Sequence, residues 1–232
     1  MPFDFKAASI KSKAEFSSSG YAFSDPASVS PFTYQGGLKR LFDITLVMLS
    51  LPIVLPVIAL MALLVAMDGY SPFYTQRRVG RGGRAFSIVK MRTMVNNADR
   101  LLEEHLERDP ALRAEWDATQ KLKKDVRITW IGRFLRKTSL DELPQLFNVL
   151  EGTMSLVGPR PMMLDQQELY PGQAYYSLRP GITGFWQISD RNQCNFCDRA
   201  KYDSAYARSV SLSTDIAVLW QTVRVVVRGT GY

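Results

Sequence analysis

Between Leu41 and Met67 the chain reads LFDITLVMLSLPIVLPVIALMALLVAM, and Asp43 is the only charged residue in that run. Nothing else in the sequence restricts the fold as strongly. A continuous helix over about 27 residues would reach roughly 40 Å, more than the ~30 Å hydrocarbon layer of a bilayer. Length alone therefore admits a single crossing, but two features oppose one. Pro52 and Pro56 sit near the middle of the run. Each removes a backbone donor and crowds the preceding turn, which predicts a break there. Lys39 and Arg40 precede the run, while Arg77, Arg78, Arg81 and Arg84 follow it. The cytoplasmic bias of Lys and Arg places both flanks on one side of the membrane. A re-entrant helix–break–helix hairpin, hinged at Pro52 and Pro56, satisfies both constraints. Asp43 then lies near the entry interface beside a basic neighbour. A plain membrane span and a buried core helix are the alternatives.

Around this segment the chain divides into three parts. Residues 1–37 form a Ser-, Ala- and Phe-containing tail with no apolar run of the signal-peptide kind. Residues 38–68 are the membrane hairpin. Residues 69–232 form a cytoplasmic domain with interfacial helices. In that domain Pro72–Gln76 and Ala85–Met94 carry the aromatic and β-branched residues of strands, joined by the turn GRGG. The stretch from Asn97 to about Lys124 is helical in character, is divided by Asp109-Pro110, and has a charged, solvated face that includes His105. FWQI (185–188) reads as a short strand. In the last helix Ile216, Leu219, Trp220, Val223, Val226 and Val227 share one face. That face either packs on the domain or lies in the bilayer interface. The fold class is α-rich with a small β element, a membrane-inserted helix and a catalytic domain.

Charge narrows the partners. The 29 Lys and Arg against 22 Asp and Glu give a net charge of +7, so a polyanion is expected. No recognition helix or RNA-binding motif is present, so nucleic acid is not expected. Cys194 and Cys197 spell C-x-x-C, but His105 is the only histidine, so a four-ligand zinc site is not available. They read as two reduced thiols. The densest chemistry lies in RKTSLDELPQLFNVLEGTMSLVGPRP (136–161). Ser139 and Glu142 match a capping box, and Asp141 suits the first turn of a helix, so this pattern has a purely structural explanation. The same carboxylates lie beside Arg136 and Lys137, and the rigid GPRP loop presents Arg160, whose fork grips phosphate. A carboxylate pair among phosphate-binding groups suits a nucleophile or a magnesium ligand. RPGITGFWQISDRN adds Arg179 and Arg191 as further phosphate or ribose contacts.

These motifs in order (KRLFD, the proline-containing apolar run, YTQRRVG, FSIVKMRTM, RKTSLDELPQLFNVLEGTMSLVGPRP and RPGITGFWQISDRN) resemble the bacterial sugar transferase family, the monotopic phosphoglycosyl transferases. The likeness covers roughly Leu38 to Tyr232 and is nearest to short members that start exopolysaccharide synthesis with a hexose phosphate. It implies a re-entrant helix, an active site at the cytoplasmic face of the inner membrane, and a Mg2+ requirement. It also implies a UDP-sugar donor, with galactose or glucose favoured, and an undecaprenyl phosphate acceptor. By the resemblance, Asp141 is the nucleophile and forms a phosphosugar intermediate, and Glu142 assists with metal or protons. Lys90, Arg92, Arg136 and Arg160 would contact phosphates or lipid headgroups. Departures from the family pattern are Leu55-Pro56 in place of Ser-Pro and Asp190-Arg191-Asn192 followed by CNFC. A non-catalytic basic module on the membrane surface is the competing function. The sequence leaves the oligomeric state open, a homo-oligomer included.

Overall fold

The computed structural model describes residues 33–119, 122, 125–189 and 196–227. Thr33 accepts a hydrogen bond from the Gly36 amide and opens a π-helical turn, Tyr34–Leu38, that runs directly into helix α1 (Lys39–Ala66). Helix α1 is unbroken. The hairpin break expected at Pro52 and Pro56 is absent, and both prolines lie inside the helix on its outward surface. The reason is a stripe that was hidden in an all-apolar sequence. Asp43, Val47, Ile58 and Val65 are buried and Val54, Met61 and Ala62 partly so, a helical spacing that continues past both prolines. Contacts on either side of the prolines keep the helix in register with the domain. Outside the stripe, Leu49 and Ile53 are exposed at 71% and 74%.

Strands β1 (Phe73–Val79) and β2 (Ala85–Met91) form an antiparallel hairpin in register from Phe73↔Met91 to Val79↔Ala85. The turn needs its glycines, since Gly82 and Gly83 have φ of 68° and 76°. Helices α2 (Ala98–Arg108) and α3 (Pro110–Thr119) meet at Asp109-Pro110, as the sequence indicates. His105 is half-buried with its Nδ1 enclosed, rather than lying on the open surface. Helix α4 (Trp130–Thr138) is followed by a 3-10 turn (Leu140–Glu142), then α5 (Gln145–Glu151) and β3 (Ser155–Val157). After the single turn α6 (Ala174–Ser177), strand β4 (Gly181–Thr183) pairs with β3 in parallel. FWQI is a helical turn, α7 (Phe185–Ile188), and not a strand. Gly184 before it has no room for a side chain, and Phe185, Trp186 and Gln187 are all buried, which a one-faced strand would not give. Helices α8 (Arg199–Ser209) and α9 (Leu212–Val227) complete the described chain.

The main core joins Val47 of α1, Ile88, Val149, Val157, Phe185, Tyr206 and Val218. A second cluster packs Ile58 and Val65 of α1 on Met91 and Leu135. Asn148 ties α5 to the hairpin: its Oδ1 accepts from the Val89 amide at 3.2 Å and its Nδ2 donates to the Ser87 carbonyl at 2.8 Å. At the root of α1, buried Asp43 accepts the Ser155 hydroxyl at 2.7 Å and lies 4.0 Å from Lys39. Asp215 of α9 takes Lys39 at 2.5 Å, Tyr34 at 2.6 Å and Tyr206 at 2.7 Å. Helix α9 packs on the domain, though not through the face the sequence marks. Val218 packs into the core, while Ile216, Trp220 and Val223 are exposed.

Candidate active site

The acidic pair owes its position to one strained residue. Ser139 ends α4 in the left-handed conformation, φ 57° and ψ 19°, and is the one non-glycine residue with positive φ among the described residues. That conformation costs a non-glycine residue roughly 1–2 kcal/mol. It also abolishes the capping box, because the Ser139 side chain makes no cap bond and Pro144, rather than Ser139, precedes α5. The 3-10 turn that follows turns Asp141 and Glu142 toward the hairpin and the GPRP loop. Glu142 Oε1 meets Lys90 Nζ at 2.7 Å and Arg160 Nη2 at 3.8 Å. Asp141 is half-buried, and its carboxyl is pushed up to about 6, first by burial and then by the Glu142 charge, while Lys90 and Arg136 pull it down. Arg136 donates from Nε to Thr93 Oγ1 at 2.9 Å. Its guanidinium is held below its ordinary range by burial and kept charged by Asp141.

A cleft beside the pair is lined by Arg78, Ile88, Lys90, Glu142, Gln145, Arg160, Pro161, Gly181 and Ile182. Strand pairing places Arg78, Ile88 and Lys90 on one face of the hairpin, with Ile88 opposite Gln76 and Lys90 opposite Tyr74. The GPRP loop reaches the cleft because glycine meets glycine. A Cβ on Gly181 would lie 2.1 Å from the Gly158 nitrogen, and one on Gly158 would lie 2.3 Å from the Arg179 carbonyl oxygen. Arg160 extends over Trp186, 5.7 Å from its ring centroid.

Lys90, Arg136 and Arg160 therefore converge on Asp141 and Glu142. Arg92 does not join them. It forks onto Asp68 at 2.6 and 2.7 Å and donates to the Ser71 and Val65 carbonyls, fastening the end of α1. Arg179 donates to the Gly152 carbonyl at 2.9 Å and feels Arg81 and Arg40 as its nearest charges. Arg191, like Cys194, lies outside the described residues. Pro52 and Pro56 are on the membrane-type helix, away from the cleft. Two cations escaped the sequence reading, Arg78 in the cleft and Arg199 on the Trp186 ring. Arg78 is the second arginine of YTQRRVG, and strand alternation sends it inward with Gln76 while Arg77 is exposed, a period-2 signal available from the sequence. Arg199 follows the CNFC segment and had no local signal.

Among the described residues, no three His, Cys, Asp or Glu side chains cluster as a self-sufficient metal site. Asp141 and Glu142 fit magnesium in another way. They are adjacent hard-oxygen donors, and Mg2+ commonly takes one or two carboxylates and completes its shell from water and substrate phosphate.

The model of the bacterial sugar transferase family matches residues 34–229. The UDP-galactose-lipid carrier transferase of Erwinia amylovora is 48% identical over 196 residues, covering 84% of this chain and 41% of that protein. The undecaprenyl-phosphate galactose phosphotransferase of Salmonella typhimurium has the same identity and coverage. The chain thus spans about two-fifths of the length of these relatives. The exopolysaccharide production protein ExoY of Sinorhizobium fredii is 42% identical over 214 residues, covering 90% of this chain and 95% of that protein.

Proposed function

The chain belongs to the bacterial sugar transferase family, and from that premise we propose that it transfers a hexose 1-phosphate from a UDP-sugar to undecaprenyl phosphate, releasing UMP. The observation that carries this reading is the Asp141–Glu142 turn, which offers one relatively basic carboxylate in a ring of fixed cations. In the first step an Asp141 oxygen attacks the β-phosphorus of the donor. The bond from that phosphorus to the bridging oxygen breaks, and the bridging oxygen leaves with UMP. The sugar phosphate is then esterified to Asp141. In the second step an oxygen of the lipid phosphate attacks the same phosphorus, the Asp141–phosphorus bond breaks, and a lipid diphosphate sugar departs with Asp141 restored. Arg160, Lys90 and Arg136 offset the repulsion between carboxylate and phosphate. Glu142 with Asp141 would hold a magnesium ion, which would supply further neutralisation of phosphate charge. Galactose is the hexose that the names of the Erwinia and Salmonella relatives favour, and glucose is the other that the sequence resemblance implies. Exopolysaccharide synthesis is the favoured pathway, by the name of ExoY.

Membrane placement is part of the same proposal. Both ends of α1 are fastened to one globular unit, through Arg40 to the Val149 and Leu150 carbonyls and Asp43 to Ser155 at one end, and Asp68 to Arg92 at the other. A helix fastened to the domain at both ends keeps both its flanks on one face of the bilayer, the cytoplasmic one by its flanking charges. Its outward residues Leu49 and Ile53, with exposed Trp130 and Trp220, supply the lipid-facing surface. A non-catalytic basic surface would leave Glu142 to cap a helix, whereas its carboxylate holds Lys90. The test is UMP release from a panel of UDP-sugars with undecaprenyl phosphate and magnesium. Asp141→Asn should reduce release at least ~1,000-fold, as expected when a nucleophile is removed. Substantial turnover by that variant would exclude Asp141 as the attacking group.

A further inference from the structure

Two guanidinium groups meet over one indole, and a third shares a cleft with one of them. Arg199 of α8 stacks on Trp186 at 4.2 Å and on Phe196 at 4.8 Å, and Arg160 reaches the same indole at 5.7 Å. Arg78 of β1 shares the cleft with Arg160 and donates to the Pro161 carbonyl at 3.4 Å. These cations burden one another. Burial and then the Arg160 charge lower both Arg78 and Arg199, the latter to about 10. The nearby acids are shared among several partners. Glu142 holds Lys90 at 2.7 Å and reaches Arg160 at 3.8 Å, and the Asp203 charge favours the Arg199 cation. Asp203 accepts the Tyr170 hydroxyl at 2.7 Å, and burial pushes its carboxyl up to about 7, so it carries only part of a charge at neutral pH.

The same place collects unused donors. Among the described residues, six buried side-chain nitrogens lack a hydrogen-bond partner. Four of them are Arg78 Nε, Gln145 Nε2, Trp186 Nε1 and Arg199 Nε, on residues of the cleft or of the arginine–indole stack. Buried donors are normally paired, and leaving one unpaired is costly, so such a cluster calls for an explanation. An acceptor rich in oxygen and bearing two negative charges would satisfy the donors and the cations together.

We infer that Arg78 and Arg199, with Arg160 and Gln145, form a donor-rich cradle for a phosphate dianion of the substrate. The inference rests on the reading of the site as one that handles phosphates, and it adds Arg78 and Arg199 to the binding residues. Phosphate reaches such a site from two sources, the nucleoside diphosphate of the donor and the monophosphate of the lipid.

The experiment uses the full chain in detergent and measures binding rather than turnover. UDP and a short-chain polyprenyl phosphate are titrated separately by calorimetry against the wild type, Arg78→Gln and Arg199→Gln. Each variant should bind at least one of the two ligands ten-fold or more weakly. A loss with UDP assigns the cradle to the donor, and a loss with polyprenyl phosphate assigns it to the acceptor. Arg100→Gln, which removes an exposed positive charge from α2, should bind both as the wild type does. The melting temperature of ligand-free Arg199→Gln should not fall, because the repulsion it relieves offsets the lost ring contact; a purely structural arginine would lower it. If Arg199→Gln does not fold, Arg199→Lys replaces it, retaining charge while losing the planar fork. Wild-type affinity for both ligands in the variants of both positions overturns the cradle. UDP binding that depends on Arg78 and Arg199 without any UMP release would overturn the transfer reaction and keep the cradle. UMP release by a wild type whose variants bind normally would do the reverse.

Discussion

Asp141 works against its own environment, and that has consequences that a pH titration can read. An unperturbed carboxyl titrates near 3.8, and Asp141 is pushed up to about 6. Between these values the folded chain holds the proton more tightly than the unfolded chain, so rising pH costs stability as the group ionises. Single-turnover UMP release should therefore fall as pH drops through about 6, whereas an unperturbed carboxylate would sustain it to about 4. Asp141→Asn removes the ionisation penalty. Its melting temperature should exceed that of the wild type at pH 7, and the difference should vanish below about pH 4, where both forms are neutral. Ser139 gives a second test. Because its φ is 57°, Ser139→Gly should raise stability by about 1 kcal/mol, read as a higher melting temperature. A capping serine would show no such gain. The S-x-x-E pattern was legible and ambiguous in the sequence. What decided it was a salt bridge to Lys90, 52 residues away, and a single backbone angle, neither of which a local pattern contains.

Elements were legible where their signals were local. The hairpin, its glycine turn and the division at Asp109-Pro110 follow from turn chemistry and strand composition. Helix α1 was legible in length and blind in orientation, since an all-apolar run has no visible face. Asp43 was the one marker of the inward stripe. FWQI misled because its aromatic and β-branched residues suit a strand, while the crowding around Gly184 requires a helical turn. The topology of α1 is open to a labelling test in a background where Cys194 and Cys197 are serine. Gly36→Cys and Ser87→Cys, on either side of the helix, should react with an impermeant reagent from the same side of sealed vesicles. Labelling from opposite sides would refute the re-entrant placement.

At the scale of the molecule, the site is an intersection of segments distant in sequence: the hairpin, the Ser139 turn, the GPRP loop, α7 and α8. The carboxylates and three of the five cations were legible because they sit in compact motifs, whereas Arg199 depends on how α8 packs on α7. The GPRP loop and strand β4 meet at Gly158 and Gly181 with no spare volume, so Gly181→Ala should cost about 3 kcal/mol. That corresponds to a melting temperature lower by roughly 6–12 °C, measurable by calorimetry.

Helix α1 also fills the interior, contributing Val47 to one core cluster and Ile58 and Val65 to another, while Lys39 plugs onto Asp215 of the last helix. Deleting the greasy segment to obtain a water-soluble catalyst, a common shortcut in protein production, would here scoop out the keel along with the hull. What remains would be a collapsed remnant, so preparations should keep α1 and accept the surfactant that comes with it.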